Sequence, residues 1–249
     1  MNILEGIDVS KWQNTIDWKK VADSNKIAFA CAQATNVGAK GNYVTDPQFK
    51  NNWKGIKDNN LIRGAYAFGK SQYDPIKQAD FFIDTLGPLD LEDFLMLDIE
   101  VPGLKNKPFT DWILAWLEHV ENRTGKIPFV YSYGPFFTET AGKVDAETAL
   151  KLQKYPFWLA AYVKDPNKYI PQVWKKQGWI LWQRSGDIAA PGEKVLRING
   201  ISGNVDLNNF HGTANELKEI ILNLHAGKNN SITYAVNAIT DELDSEPTV

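Results

Sequence analysis

A single cysteine, Cys31, stands in 249 residues. It excludes any internal disulfide. Its apolar setting, "IAFACAQA", makes it a small buried hydrophobe rather than a reactive thiol. With only three scattered histidines beside it, no metal-ligand spacing exists. No Gly-rich phosphate loop and no Gly-x-Ser-x-Gly elbow occurs. Charge of one sign is also scarce in excess. The net charge of −3 gives no reason to expect nucleic acid or an anionic membrane as a partner. No apolar run reaches the length of a membrane span. The start, "MNILEGIDVS", lacks the basic residues and long apolar stretch of a signal peptide. The expectation is a chain made in the cytoplasm without a signal peptide or membrane anchoring, acting elsewhere only after release.

Aromatic residues are plentiful, with nine Trp, nine Tyr and twelve Phe. Several fall in strand-like runs rather than on helical faces. Core packing accounts for most individual rings. The surplus suits a sugar-binding groove.

Strand and helix patterns alternate along the chain. Strand-like "ILEGIDVS", "IAFACAQA", "LIRGAYAF", "DFLMLDIE" and "IPFVYSY" are each followed by a helix candidate: "TIDWKKVADS", "PQFKNNWKGIKDN", "DPIKQADFFIDTL", "PFTDWILAWLEHVENRTG" and "DAETALKLQ". In the fourth of these, Phe109, Trp112, Ile113, Trp116, Leu117 and Val120 follow the i, i+3, i+4, i+7 pattern of an amphipathic helix. The remaining strand candidates, "FWLAAY", "WILWQRS" and "NVDLNNF", have little helix between them. Alternation of this kind predicts parallel βαβ units in a (β/α) barrel with an irregular second half.

In such barrels function sits at the C-terminal ends of the strands. The predicted ends read Asp8, Gln33, Tyr66 and Phe68, Asp98 and Glu100, Tyr131 and Tyr133, Tyr162, Trp182 and Gln183, and Asp206. Nearly every end carries an acid, an amide or a ring, whereas the starts are mostly Ile, Leu, Phe and Trp. In "DFLMLDIEVPG" an apolar run finishes with two carboxylates before Pro102 and Gly103 stop it. Residues i and i+2 of a strand share a face, so Asp98 and Glu100 point the same way. Repulsion and lost hydration raise the proton affinity of at least one, the state a general acid needs. Four carboxylates, Asp8, Asp98, Glu100 and Asp206, therefore converge at one mouth. Flanking Tyr and Trp residues make glycoside hydrolysis the better reading. A hard-cation site is the competing one and leaves the rings unexplained.

The motifs "GIDVSKWQ" (6–13), "GAYAFG" (64–69), "LDIE" (97–100), "FVYSY" (129–133), "FWLAAYV" (157–163), "ILWQRS" (180–185) and "VDLNNF" (205–210) together resemble the family 25 glycoside hydrolases. These are muramidases of bacteria and their phages. The resemblance spans roughly residues 3 to 212. It implies an irregular TIM-like (β/α)5β3 barrel over residues 1–225, with a C-terminal tail, 226–249, outside it. It implies cleavage of the β-1,4 bond between N-acetylmuramic acid and N-acetylglucosamine in peptidoglycan glycan strands, without cofactor or metal. It places the acid on Glu100 and the partner aspartates on Asp98, Asp8 and Asp206. Asp98 assists by holding the substrate acetamido group, with a direct nucleophile or a base for water as alternatives. Tyr66, Phe68, Tyr131, Tyr162, Trp182 and Gln183 are the expected substrate-binding residues. A phage or prophage endolysin is the expected setting. A chitinase or other N-acetylhexosaminidase, and a non-catalytic sugar-binding module, stand as alternatives. In the tail, Ile232, Val236, Ile239 and Leu243 recur at helical spacing. A short helix there, with self-association through it, is the expectation.

Overall fold

A computed structural model describes residues 2–24, 26–186 and 197–225. The expected tail helix lies outside the described residues. Among the described residues there are nine strands: β1 (Ile3–Val9), β2 (Ile27–Val37), β3 (Tyr43–Thr45), β4 (Ile62–Phe68), β5 (Phe94–Asp98), β6 (Phe129–Tyr133), β7 (Phe157–Ala160), β8 (Leu181–Ser185) and β9 (Asp206–His211). Seven α-helices accompany them: α1 (Trp18–Asp23), α2 (Phe49–Asp58), α3 (Pro75–Leu86), α4 (Asn106–Thr124), α5 (Gly134–Ala141), α6 (Ala146–Gln153) and α7 (Ala214–Asn223).

Eight strands close into the expected barrel. Its order runs β1, β2, β4, β5, β6, β7, β8, β9, and β9 returns to β1. The pairs from β1 through β8 are parallel, whereas β9 is antiparallel to both β8 and β1. The short β3 forms a hairpin on the end of β2 and stands outside the ring. Neither β3 nor helices α5 and α7 is predicted from the pattern. No helix among the described residues is long and apolar enough to cross a membrane.

Period-2 alternation decides which side chains fill the barrel. Phe29, Cys31, Ile62, Tyr66, Phe94, Met96, Phe129, Tyr131, Trp158, Leu181 and Phe210 form one buried cluster inside. Their neighbours, such as Ala30, Ala32, Ala65, Leu95, Leu97, Val130 and Leu207, pack outward against the helices. Trp158 is the hub of the inner cluster. Its ring meets Phe29, Phe94, Phe129 and Tyr131 at centroid distances of 6.4, 6.2, 6.4 and 6.2 Å. Space for that plug requires glycine on β4, because a Cβ on Gly64 would fall 2.2 Å from the Phe94 ring. The helix α4 buries the stripe read from sequence, from Phe109 to Val120, and ends where Gly125 adopts φ +70°.

The end of the barrel away from the strand C-termini is tied by an ion pair. Arg63, on β4, donates from Nε to Asp93 Oδ1 at 2.8 Å and from its terminal nitrogen to Oδ2 at 2.7 Å. Its guanidinium lies 3.7 Å from the centroid of the Trp53 ring. Lys126 donates to the Asp93 carbonyl at 2.8 Å. Both members of the pair are buried. Removing one partner of such a pair strands the other charge and costs about 3–5 kcal/mol. Arg63→Leu is expected to lower the urea-unfolding free energy by that amount while leaving the rate per folded molecule unchanged. A loss under about 1 kcal/mol would mean that solvent already screens the pair.

Candidate active site

At the opposite end lies a cavity of about 930 Å³. Asp8, Asp98, Glu100 and Asp206 all line it, with Gln33, Tyr66, Phe68, Tyr131, Tyr162 and Gln183. The four acids thus arrive from three parts of the sequence at one mouth. Two details differ from the strand-end reading. Asp206 is the first residue of β9, not the last. It reaches the mouth because β9 runs against the other strands, pairing Asp206 directly with Asp8. The strand β5 stops at Asp98, two residues before Glu100. The ladder still continues through Ile99, whose N–H donates to Tyr131 O at 3.0 Å. Asp98 and Glu100 therefore keep the same side.

Trp182 is not brought into the cleft. Leu181 and Gln183 face inward, so the residue between them faces out. Its indole N–H donates to Ala161 O at 2.8 Å and its ring packs against Trp179 at 5.9 Å. Tyr133 likewise turns to Phe136, at 5.3 Å, and does not line the cavity.

Gln183 reaches the cavity, but its polar atoms are committed within the protein. Its Oε1 accepts from Tyr131 at 2.9 Å and from Tyr162 at 2.8 Å, and its Nε2 donates to Asp8 Oδ2 at 2.9 Å. Asn208, absent from the sequence reading, donates to the same Asp8 oxygen at 2.8 Å. Its own Oδ1 accepts from the Trp158 indole at 2.9 Å. An indole N–H can only donate, so Trp158 fixes which way the Asn208 amide points. The aromatic plug below thus dictates that Asp8 receives two N–H donors. Asn208 could have been found from "VDLNNF", because it shares parity with Asp206 and Phe210.

The donors oppose the burial of Asp8. Burial raises its proton affinity, while bonds from Asn208 and Gln183 and one with Asp206 lower it. Asp98 has no such help. Burial, then the charges of Glu100, Asp8 and Asp206, hold its pKa well above the usual carboxylate range. Its Oδ1 is buried without a hydrogen-bond partner among the described residues. Glu100 is half-buried, and its pKa is pushed up to about 7, first by burial and then by the charge of Asp8. Tyr66 and Tyr131 are raised well above the ordinary phenol by burial and the same acids, so both remain hydroxyl donors. Behind the acids, Gly186 leaves room that a Cβ would occupy 2.4 Å from Asp206 Oδ1. Among the described residues no group of His, Cys, Asp and Glu has the arrangement of a metal site.

A barrel mouth that gathers carboxyl groups of raised proton affinity beside phenol hydroxyls has the groups that glycoside hydrolysis uses. The sequence relations give the particular family. The chain belongs to the glycosyl hydrolases family 25, whose model matches residues 7–193. It is 33% identical over 225 residues to the uncharacterized protein YegX of Escherichia coli K12, covering 88% of this chain and 73% of that one. It is 29% identical to lysozyme M1 of Streptomyces globisporus over 226 residues, 86% of this chain and 70% of the relative. The crystal structure of the bacterial lysozyme from Streptomyces coelicolor superposes with a TM-score of 0.75 at 28% identity, covering 89% of this chain and 98% of that one.

Proposed function

We propose that the chain is a muramidase that hydrolyses the β-1,4 bond between N-acetylmuramic acid and N-acetylglucosamine in peptidoglycan. Membership of the family and the similarity to proteins named lysozyme support the substrate class. The observation that carries the mechanism is Asp98, a buried carboxylate with an unpartnered oxygen, two residues from a carboxyl with a pKa of about 7.

Glu100 gives its proton to the glycosidic oxygen as the bond to the anomeric carbon breaks. The carbonyl oxygen of the sugar's own acetamido group bonds to that carbon from the opposite face, forming a cyclic oxazolinium. Asp98 and Glu100 titrate as a pair, and the reactive form is the one with the proton on Glu100; the ionised Asp98 then accepts the acetamido N–H through its free oxygen and offsets the positive charge that develops. Water then attacks the anomeric carbon, Glu100 takes its proton, and the ring reopens with net retention. Substrate assistance of this kind is a recognised exception to the two-carboxylate scheme. Burial, and then the negative charge of Asp8, which Asn208 and Gln183 fix in place, keep Glu100 protonated near neutrality. Gln183 is a positioning residue in this reading, and Tyr66, Phe68 and Tyr162 form the wall.

Reducing-end analysis of digested peptidoglycan tests the bond. New reducing ends on muramic acid are expected, whereas ends on glucosamine would make the enzyme a glucosaminidase. The rate should fall as pH rises through about 7, because Glu100 must be protonated to act. Removing the charge of Asp8 lowers the proton affinity of Glu100. Asp8→Asn should therefore shift the alkaline limb of the residual rate to lower pH. A limb that stays in place would separate Asp8 from Glu100.

A further inference from the structure

Trp12 is 76% exposed, more than any other large hydrophobic side chain of the described residues. It follows β1 by three residues and lines the same cavity as the carboxylates. An exposed indole on a loose loop would mean little. This one stands on a fixed mount. Residues Lys11–Gln13 form a 3₁₀ turn closed by a capping box, in which Ser10 and Gln13 bond each other's ends. One side of the turn is held by Gln13 Nε2, which donates to Asn204 O at 3.1 Å. The other is held by Asp46, a buried carboxylate that accepts from Lys11 N–H at 2.9 Å. Asp46 is itself fixed, because its second oxygen accepts from Gln48 N–H at 2.9 Å. Two separate segments thus hold the turn and its ring at the lip of the cleft, and that ring buries little of itself in the protein. The Lys11 ammonium lies 5.0 Å from its centroid.

We propose that Trp12 is a stacking platform for a hexopyranose ring of the glycan, one beyond the bond that is cut. The inference rests on the glycan reading above and assigns it a further binding position. A rigid aromatic offers a flat apolar face to the C–H face of a sugar, with little ordering entropy lost on contact. The volume of about 930 Å³ lies at the upper end of the roughly 300–1,000 Å³ of ordinary ligand pockets. The cavity as a whole has room for more than one sugar, and Trp12 and the four acids share its lining. The Asp8–Asp206 side of the cleft is the side that Trp12 extends, since its mount is tied to Asn204 and continues from β1.

The test is calorimetric binding of a purified tetrasaccharide of alternating N-acetylglucosamine and N-acetylmuramic acid. Glu100→Gln serves as the background, so that the ligand survives. Adding Trp12→Ala should weaken binding about tenfold, the scale of one ring contact, and Trp12→Phe should restore most of it. In the active enzyme the same Trp12→Ala change should raise KM on the polymer more than it lowers kcat. The melting temperature should not move, because the ring is exposed. Equal affinity with and without Trp12 would overturn the platform while leaving the glycan reading intact. No binding to the Glu100→Gln background would overturn that reading, and the platform with it.

Discussion

Glu100→Gln is expected to lose hydrolysis by at least about 10²–10⁴-fold, the usual contribution of a positioned general acid, while the fold becomes more stable above neutral pH. The swap keeps size and removes the transferable proton. The stability sign follows from linkage. The carboxyl has a folded pKa of about 7 against an ordinary 4.5. Between those values the folded chain holds a proton that the unfolded chain has released. Stability therefore falls as pH rises through that window, and above it the charged, half-buried Glu100 is a burden on the fold. The glutamine removes it. Urea denaturation at pH 8 should show a gain of up to about 3 kcal/mol, shrinking towards zero below pH 4.5. A variant inactive and less stable at pH 8 would make Glu100 a structural residue.

Asp98→Asn is expected to cost about 10²–10³-fold in kcat, comparable to losing one preorganised electrostatic contact, with stability kept or raised. An asparagine carbonyl can still accept the acetamido N–H. It cannot offset the oxazolinium charge, so binding should persist while turnover falls. Stability should not suffer, because the carboxyl is buried among like charges with an oxygen that has no hydrogen-bond partner among the described residues. A marked loss of stability would assign Asp98 a structural role. Unchanged turnover would move the charge-stabilising role to Asp8 or Asp206.

The barrel was legible because its signals are local. Phe94, Met96, Asp98 and Glu100 share one parity, and Phe109 to Val120 share one helical stripe. Those patterns mark the inward and core-facing sides without knowledge of any partner. The direction of β9 was not legible. "VDLNNF" alternates equally well whichever way the strand runs, and its orientation is set by the neighbours that it joins. Asp206 was therefore placed at the mouth by the right motif but the wrong end of its strand. Trp182 was misplaced for a simpler reason. Nearness to a strand end suggests the cleft, whereas its parity, opposite to that of Leu181 and Gln183, sends it outward. Helix α5 opens with Gly134 and Pro135, which resemble a turn, although proline in the first turn suits a helix start. Trp12 lies in a turn with no period at all. Only the three-dimensional mount distinguishes it from an ordinary surface ring.

The most direct test of the account is an early proton NMR time course of glycan-strand digestion, run on the wild type and on Glu100→Gln side by side. It reports bond, stereochemistry and acid together. The account predicts the β-anomer of a new muramic acid reducing end first in the wild type, with the α-anomer growing in only by mutarotation, and no product from Glu100→Gln on the same timescale. An α-anomer appearing first would mean inversion with an aspartate activating water, and product from Glu100→Gln at a comparable rate would remove Glu100 from the chemistry.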